Sequence, residues 1–207
     1  MNFNAKAIVA ASSLLFAAAA HADLTSTLSF SDASAGLGAG PYATVVVTQG
    51  VDANTVNITE TLVSPYALVD TGGPHHALAF SIAGTESISI SGAAGFSLLT
   101  GGVTNTPFGT YEYALTCNVC GNGGSNPFAG PLSFSITSNT ALDASKFVAN
   151  ADGFVFSSDV VNTTTGLTGN VAGGIATVTP VPEPETYALM LAGLGAIGFI
   201  GKRRKAV

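Results

Sequence analysis

Through the middle of this chain, apolar residues return at every second position. Leu28 and Phe30 alternate with Ser and Thr, as do Val56, Ile58 and Leu62; Leu78, Phe80 and Ile82; Ile88 and Ile90; and Leu132, Phe134 and Ile136. A period of two sends successive side chains to opposite faces of a strand, so each run offers one face to a core and one to water. Tyr42–Thr48 (YATVVVT) is more continuously apolar and suits a sheet centre, and Tyr111–Thr116 and Phe154–Ser157 are further strands. Gly- and Asn-rich turns separate the runs at Ala35–Gly40, Thr71–Pro74, Gly101–Pro107, Gly121–Pro127 and Gly166–Gly174. About nine such strands predict an all-β fold, a single antiparallel β-sandwich or jelly-roll-like domain. One or two helical turns are expected at Thr140–Phe147, capped by Asn139 or Thr140, with Leu142 and Phe147 toward the sheet. Ala-Gly-Pro precedes a strand twice, at Ala39–Pro41 and Ala129–Pro131, which is ordinary turn chemistry.

The two ends read differently. Lys6, the apolar stretch Ala7–Ala20 and the small-residue site Ala20-His21-Ala22 make a secretory signal-peptide helix over 1–22, cut after Ala22 by signal peptidase following the Sec translocon. At the other end, Pro182-Glu183-Pro184 stands before an apolar run from Tyr187 to Gly201, and Lys202, Arg203, Arg204 and Lys205 follow at once. The prolines fix φ and disfavour helix in the residues before them, so Thr179–Pro184 is expected to be extended and exposed. The apolar run predicts a transmembrane helix over about 186–201, and the basic cluster stops transfer and stays cytoplasmic. Fifteen helical residues reach about 22 Å, against a hydrocarbon core of about 30 Å. A short span carrying four glycines suits a temporary hold in the inner membrane better than a permanent anchor.

This order of triplet, apolar run and basic cluster at a chain's end resembles the PEP-CTERM sorting signal of Gram-negative bacteria, the substrate tag of exosortases. The resemblance implies that segment 181–207 is a sorting signal and that exosortase is a partner. It also implies cleavage near Pro182–Pro184 and passage to the cell surface or the exopolysaccharide matrix. A second resemblance covers Cys117–Gly174, which looks like a segment found in a subset of PEP-CTERM proteins; it implies a shared fold and no particular activity.

Between the two targeting segments lies a mature domain, 23–180, whose 158 residues are ample for one core. It holds one basic residue, Lys146, against ten acids, a net charge of −9. Such a surface cannot bind nucleic acid by neutralising phosphates, and it will not attract anionic lipid. Its charges are sparse, so Ser, Thr, Asn and Gly must supply most of its polar surface.

Cys117-Asn118-Val119-Cys120 is the one cysteine pair. In an oxidising compartment it reads as a structural disulfide, with a redox pair, a metal site and free thiols as the other readings. Residue 121 is Gly, so the c-type haem signature is absent. His75-His76 would complete a Cys2His2 zinc site only if the loop bent both rings to one ion; a solvated loop is the plainer reading, and no metal or other cofactor is expected. Asp70 and Asp152 look like turn residues, and no G-x-S-x-G, HExxH, Walker A or EF-hand pattern occurs, so no catalytic residue is expected. Tyr111 and Tyr113 stand on one face of a strand and are the candidate sugar platform, although tyrosines so placed more often pack in a core. The expectation is therefore a non-enzymatic, exported structural or interaction domain. Its alternatives are a module binding the matrix polysaccharide and an extracellular hydrolase.

Overall fold

The computed structural model describes residues 23–84 and 87–174, and the backbone of 177–179. The expected signal peptide, the Pro182–Pro184 triplet, the span at 186–201 and the basic cluster lie outside them. All the described residues fall within one compact unit, residues 21–181.

Fourteen strands occur among the described residues: β1 (Asp23–Leu28), β2 (Phe30–Ser31), β3 (Ala43–Gln49), β4 (Thr55–Leu62), β5 (Tyr66–Leu68), β6 (Leu78–Ile82), β7 (Ile88–Ser91), β8 (Phe96–Thr104), β9 (Thr110–Cys117), β10 (Leu132–Ser138), β11 (Phe147–Val148), β12 (Phe156–Asn162), β13 (Thr168–Gly173) and β14 (Thr177–Thr179). They form two sheets that make an all-β sandwich, with antiparallel pairing throughout the described ladders. The first sheet runs β14-β1-β3-β4-β10-β7; the second runs β2-β13-β12-β6-β9-β8, with β11 on β6 and β5 on β12.

The first sheet follows the alternation closely. Leu24, Leu28, Val45, Val47, Val56, Ile58, Leu132, Phe134 and Ile136 are buried in the core it shares with the second sheet. The intervening residues face out and form rows across the strands. Thr27, Thr44 and Thr61 are in register, then Thr25, Val46, Thr59 and Ser133, then Thr48, Asn57, Ser135 and Ser91, then Thr55, Thr137 and Ser89. Tyr42–Thr48 does enter an inner strand, β3, flanked by β1 and β4.

The second sheet departs from simple alternation because its central strands are buried on both faces. Phe80, Phe156 and Val160 enter the main core, whereas Ser157, Asp159 and Val161 point to the opposite face and are also buried. Loops cover that face. Thr71 donates its N–H and hydroxyl to Asp159 Oδ2 (2.8 and 2.7 Å). Asn105 Nδ2 donates to Ser157 Oγ (3.1 Å), and Asn170 Nδ2 donates to the carbonyls of Pro74 and Thr106.

Three expectations are corrected here. Gly166–Gly174 is not one long turn: Thr168–Gly173 is β13, paired with β12 along six residues. Its Thr-Gly-Asn-Val-Ala-Gly sequence hides the strand, because close neighbours demand small residues; a Cβ at Gly169 would collide with Ala35, and one at Gly173 with Ser26. Gly101–Pro107 is likewise not all turn. β8 runs to Thr104 through a bulge between Thr100 and Val103, where Gly101 and Gly102 take positive φ. The expected helix at Thr140–Phe147 shrinks to one 3-10 turn, Ala144–Lys146, capped by Asp143, whose carboxylate accepts the N–H of Ser145. Leu142 and Phe147 do enter the core. Both Ala-Gly-Pro segments lead into strands, β3 and β10, through cis Gly-Pro bonds.

Candidate functional site

Sheet pairing brings several of the singled-out side chains together over the outer face of the second sheet. Asp70 follows β5 and accepts hydrogen bonds from Thr116 Oγ1 (2.5 Å) and the N–H of Cys117 (3.0 Å), which ties the loop to the end of β9. His76 exchanges main-chain bonds with Asn105: its N–H donates to Oδ1 (2.7 Å) and its carbonyl accepts from Nδ2 (3.3 Å). The loop is solvated at its tip, where Gly72, Gly73 and Pro74 are exposed, while His75 and His76 are half-buried with their Nδ1 atoms turned inward. The loop packs down because β12 and β13 present Asp159 and Asn170 to it, opposite each other in register. Burial raises the Asp159 carboxyl above the usual range against the bonds from Thr71, and burial lowers the His76 imidazole.

Cys117 and Cys120 form a disulfide with Cα atoms 5.4 Å apart, so neither offers a thiolate to the histidines. Among the described residues, no three His, Cys, Asp or Glu side chains gather as a metal site.

The two tyrosines of β9 do not share a platform. Tyr113 packs in the main core, stacked on Phe80 with ring centroids 5.8 Å apart. Tyr111 belongs to a separate cluster on the outer face with Ala79, Val103 and Ala114, and it is 1% exposed. The bulge in β8 opposite them sits between Thr100, paired with Tyr113, and Val103, paired with Tyr111.

Glu112, between them, reaches the rim. Its Oε2 accepts the N–H of Ile82 (3.0 Å), and its own N–H donates to Ser81 Oγ (3.2 Å). With Tyr113, Ser87, Ile88, Thr100 and the Gly101–Gly102 bulge it lines an open cleft of about 470 Å³ between the edge strands β7 and β8.

One acid is sealed between the sheets. Glu60 sits on the inner face of β4 with no exposure and takes a hydrogen bond from Ser158 Oγ on β12 (2.6 Å). Desolvation pushes its carboxyl up to about 8, so it is held protonated at neutral pH. The alternation of Val56, Ile58 and Leu62 carries position 60 inward; that a Glu occupies it is what the pattern leaves unexplained.

The described chain ends at β14, whose Thr179 is in register with Asp23 at the start of β1. Fold and chain end together define an all-β sandwich domain followed at once by a C-terminal tail. That tail is matched by the model of the PEP-CTERM protein-sorting motif, over residues 180–205. The chain therefore carries a PEP-CTERM protein-sorting motif at its tail, and that motif implies an exported, exosortase-processed protein directed to the cell surface or beyond. No curated protein and no solved structure matches the chain.

Proposed function

We propose that the mature domain is a non-catalytic structural or interaction module of the cell surface or exopolysaccharide matrix. On this reading the signal peptide is removed after Ala22, and the span at 186–201 holds the protein briefly in the inner membrane. Exosortase then cleaves near Pro182–Pro184 and releases the domain. The carrying observation is how the carboxylates are used. Asp32, Asp70, Asp143 and Asp159 each accept bonds from neighbouring loop or strand groups, Glu60 is sealed in the core, and Glu112 holds the end of β6. Five of these six acids brace turns, loops or strand ends and one is sealed in the core, whereas glycoside hydrolysis needs a facing pair at a cleft.

A second reading, binding to the matrix polysaccharide, draws its support from the uncharged outer face of the first sheet rather than from the tyrosines. An extracellular hydrolase has, among the described residues, only the Glu112 carboxylate of the cleft in its favour.

Intact mass of the secreted protein, from cells with and without exosortase, tests the sorting half of the proposal. The expected product lacks residues 1–22 and the apolar tail when exosortase is present. A secreted protein still carrying the chain through Val207 would overturn it.

A further inference from the structure

The outer face of the first sheet is unusual in what it lacks. Its four rows consist of Thr, Ser and Asn with one Val, all exposed or half-exposed, on a domain whose net charge is −9. No charged side chain stands in those rows; Asp23 borders them at the start of β1. The polar groups are already ordered by one another. Thr55 and Thr137 hydroxyls lie 3.1 Å apart, Thr59 and Ser133 hydroxyls lie 3.2 Å apart, and Ser135 Oγ donates to Asn57 Oδ1 (2.7 Å). Cross-strand bonds of this kind lower the entropy lost when a ligand engages the same groups.

We propose that this face is the docking surface for a neutral, hydroxyl-rich polysaccharide chain, gripped by rows of side-chain hydroxyls and amides. The proposal deepens the matrix reading and rests on it for the polymer's presence. Charge, apolar content and shape select this occupant. Charge comes first: the face offers no cation for a polyanion or anionic lipid and, for a basic protein, only the Asp23 carboxylate at its border, while hydroxyls and amides both donate and accept, as sugar hydroxyls do. Apolar content comes second. A second copy of the chain docking here would bury Val46 and scattered threonine methyls but no large apolar side chain, whereas stable homodimer interfaces have apolar cores. Shape comes third. The hydroxyl rows are spaced about 4.8 Å across strands and about 6.8 Å along them, a grid that also invites ice. But neighbouring strands rotate on average by about 20–25°, and six strands with that twist would turn by roughly 100° from edge to edge, a poor match to a planar lattice. A flexible polymer can follow that twist.

Affinity electrophoresis of the full-length protein, in a polyoxyethylene detergent, tests this directly. The gels contain glucomannan or a β-1,3-glucan as neutral polymers and alginate as the anionic one. Retardation by a neutral polymer that persists at high salt is expected. In the triple variant T59V/S133A/S135A, which removes the hydroxyls and adds no charge or bulk, the apparent affinity should fall about tenfold or more, for loss of several modest hydrogen bonds. T44K, which puts a cation in the first row, should weaken neutral-polymer binding as well. Native circular dichroism of both variants shows that the fold is intact. No retardation by either neutral polymer overturns the proposal. So does retardation unchanged in the triple variant, which would move binding to the Glu112 cleft. Inhibition of ice growth or self-association that the same substitutions abolish would reassign the face and also overturn it. None of these outcomes depends on exosortase, so the proposal can fail while the mass test succeeds.

Discussion

Glu60 shows how much one residue's environment can matter. Its carboxyl is protonated in the folded core, with a value near 8 against 4.5 for the ordinary side chain. The folded state therefore binds the proton more tightly than the unfolded chain does. The stability this supplies is fully present below about pH 4.5 and is lost as pH rises through about 8. A shift of that size corresponds to a loss on the order of 5 kcal/mol. Asp159, also raised by burial, changes in the same direction, while His76, lowered by burial, loses stability as pH falls. Urea midpoints should therefore decline between pH 5 and pH 9 in the wild type and decline much less in E60Q, whose amide can still accept from Ser158. Parallel pH curves for the two proteins would remove Glu60 from this role. The period-two pattern already pointed residue 60 inward. What it could not show was that Ser158, almost a hundred residues further on, would be the hydroxyl waiting there.

Among the strands, legibility followed chemistry. β4 and β10 alternate between core and water, so their side chains declared the pattern. β13 could not declare itself, because both its faces are buried and its close neighbours leave space only for small residues. The covering loops of the second sheet account for this: a strand with protein on both sides loses the polar half of its signal. Gly169 is the test position. Its Cβ-less backbone lies against Ala35, so G169A should lower stability by about 1–3 kcal/mol through overpacking, read from the urea midpoint. An unchanged midpoint would mean that β13 does not pack as described. The same reasoning covers the tyrosines of β9. Their shared face was sound strand logic, and a bulge in β8, a feature of the neighbouring strand, lies where they part.

For the whole molecule, destination and domain are separable. The sorting motif at 180–205 follows β14 at once. The basic residues 202–205 are expected to hold the tail in the membrane, since each costs about 2.5 to 3.5 kcal/mol at the bilayer centre. Replacing all four by neutral residues should shift the protein from the membrane fraction and impair tail processing; unchanged fractionation would count against the stop-transfer role. Address, strand period and charge are local properties, carried by a few neighbouring residues or by a plain sum, and all three are present in the sequence alone. The pairing of Asp159 with Asn170, the protonated state of Glu60 and the division of Tyr111 from Tyr113 needed the tertiary structure. So did the gathering of five separate strands' hydroxyls into one uncharged face. Each depends on which distant segment arrives opposite, and that is decided by sheet order and register rather than by the residues on either side.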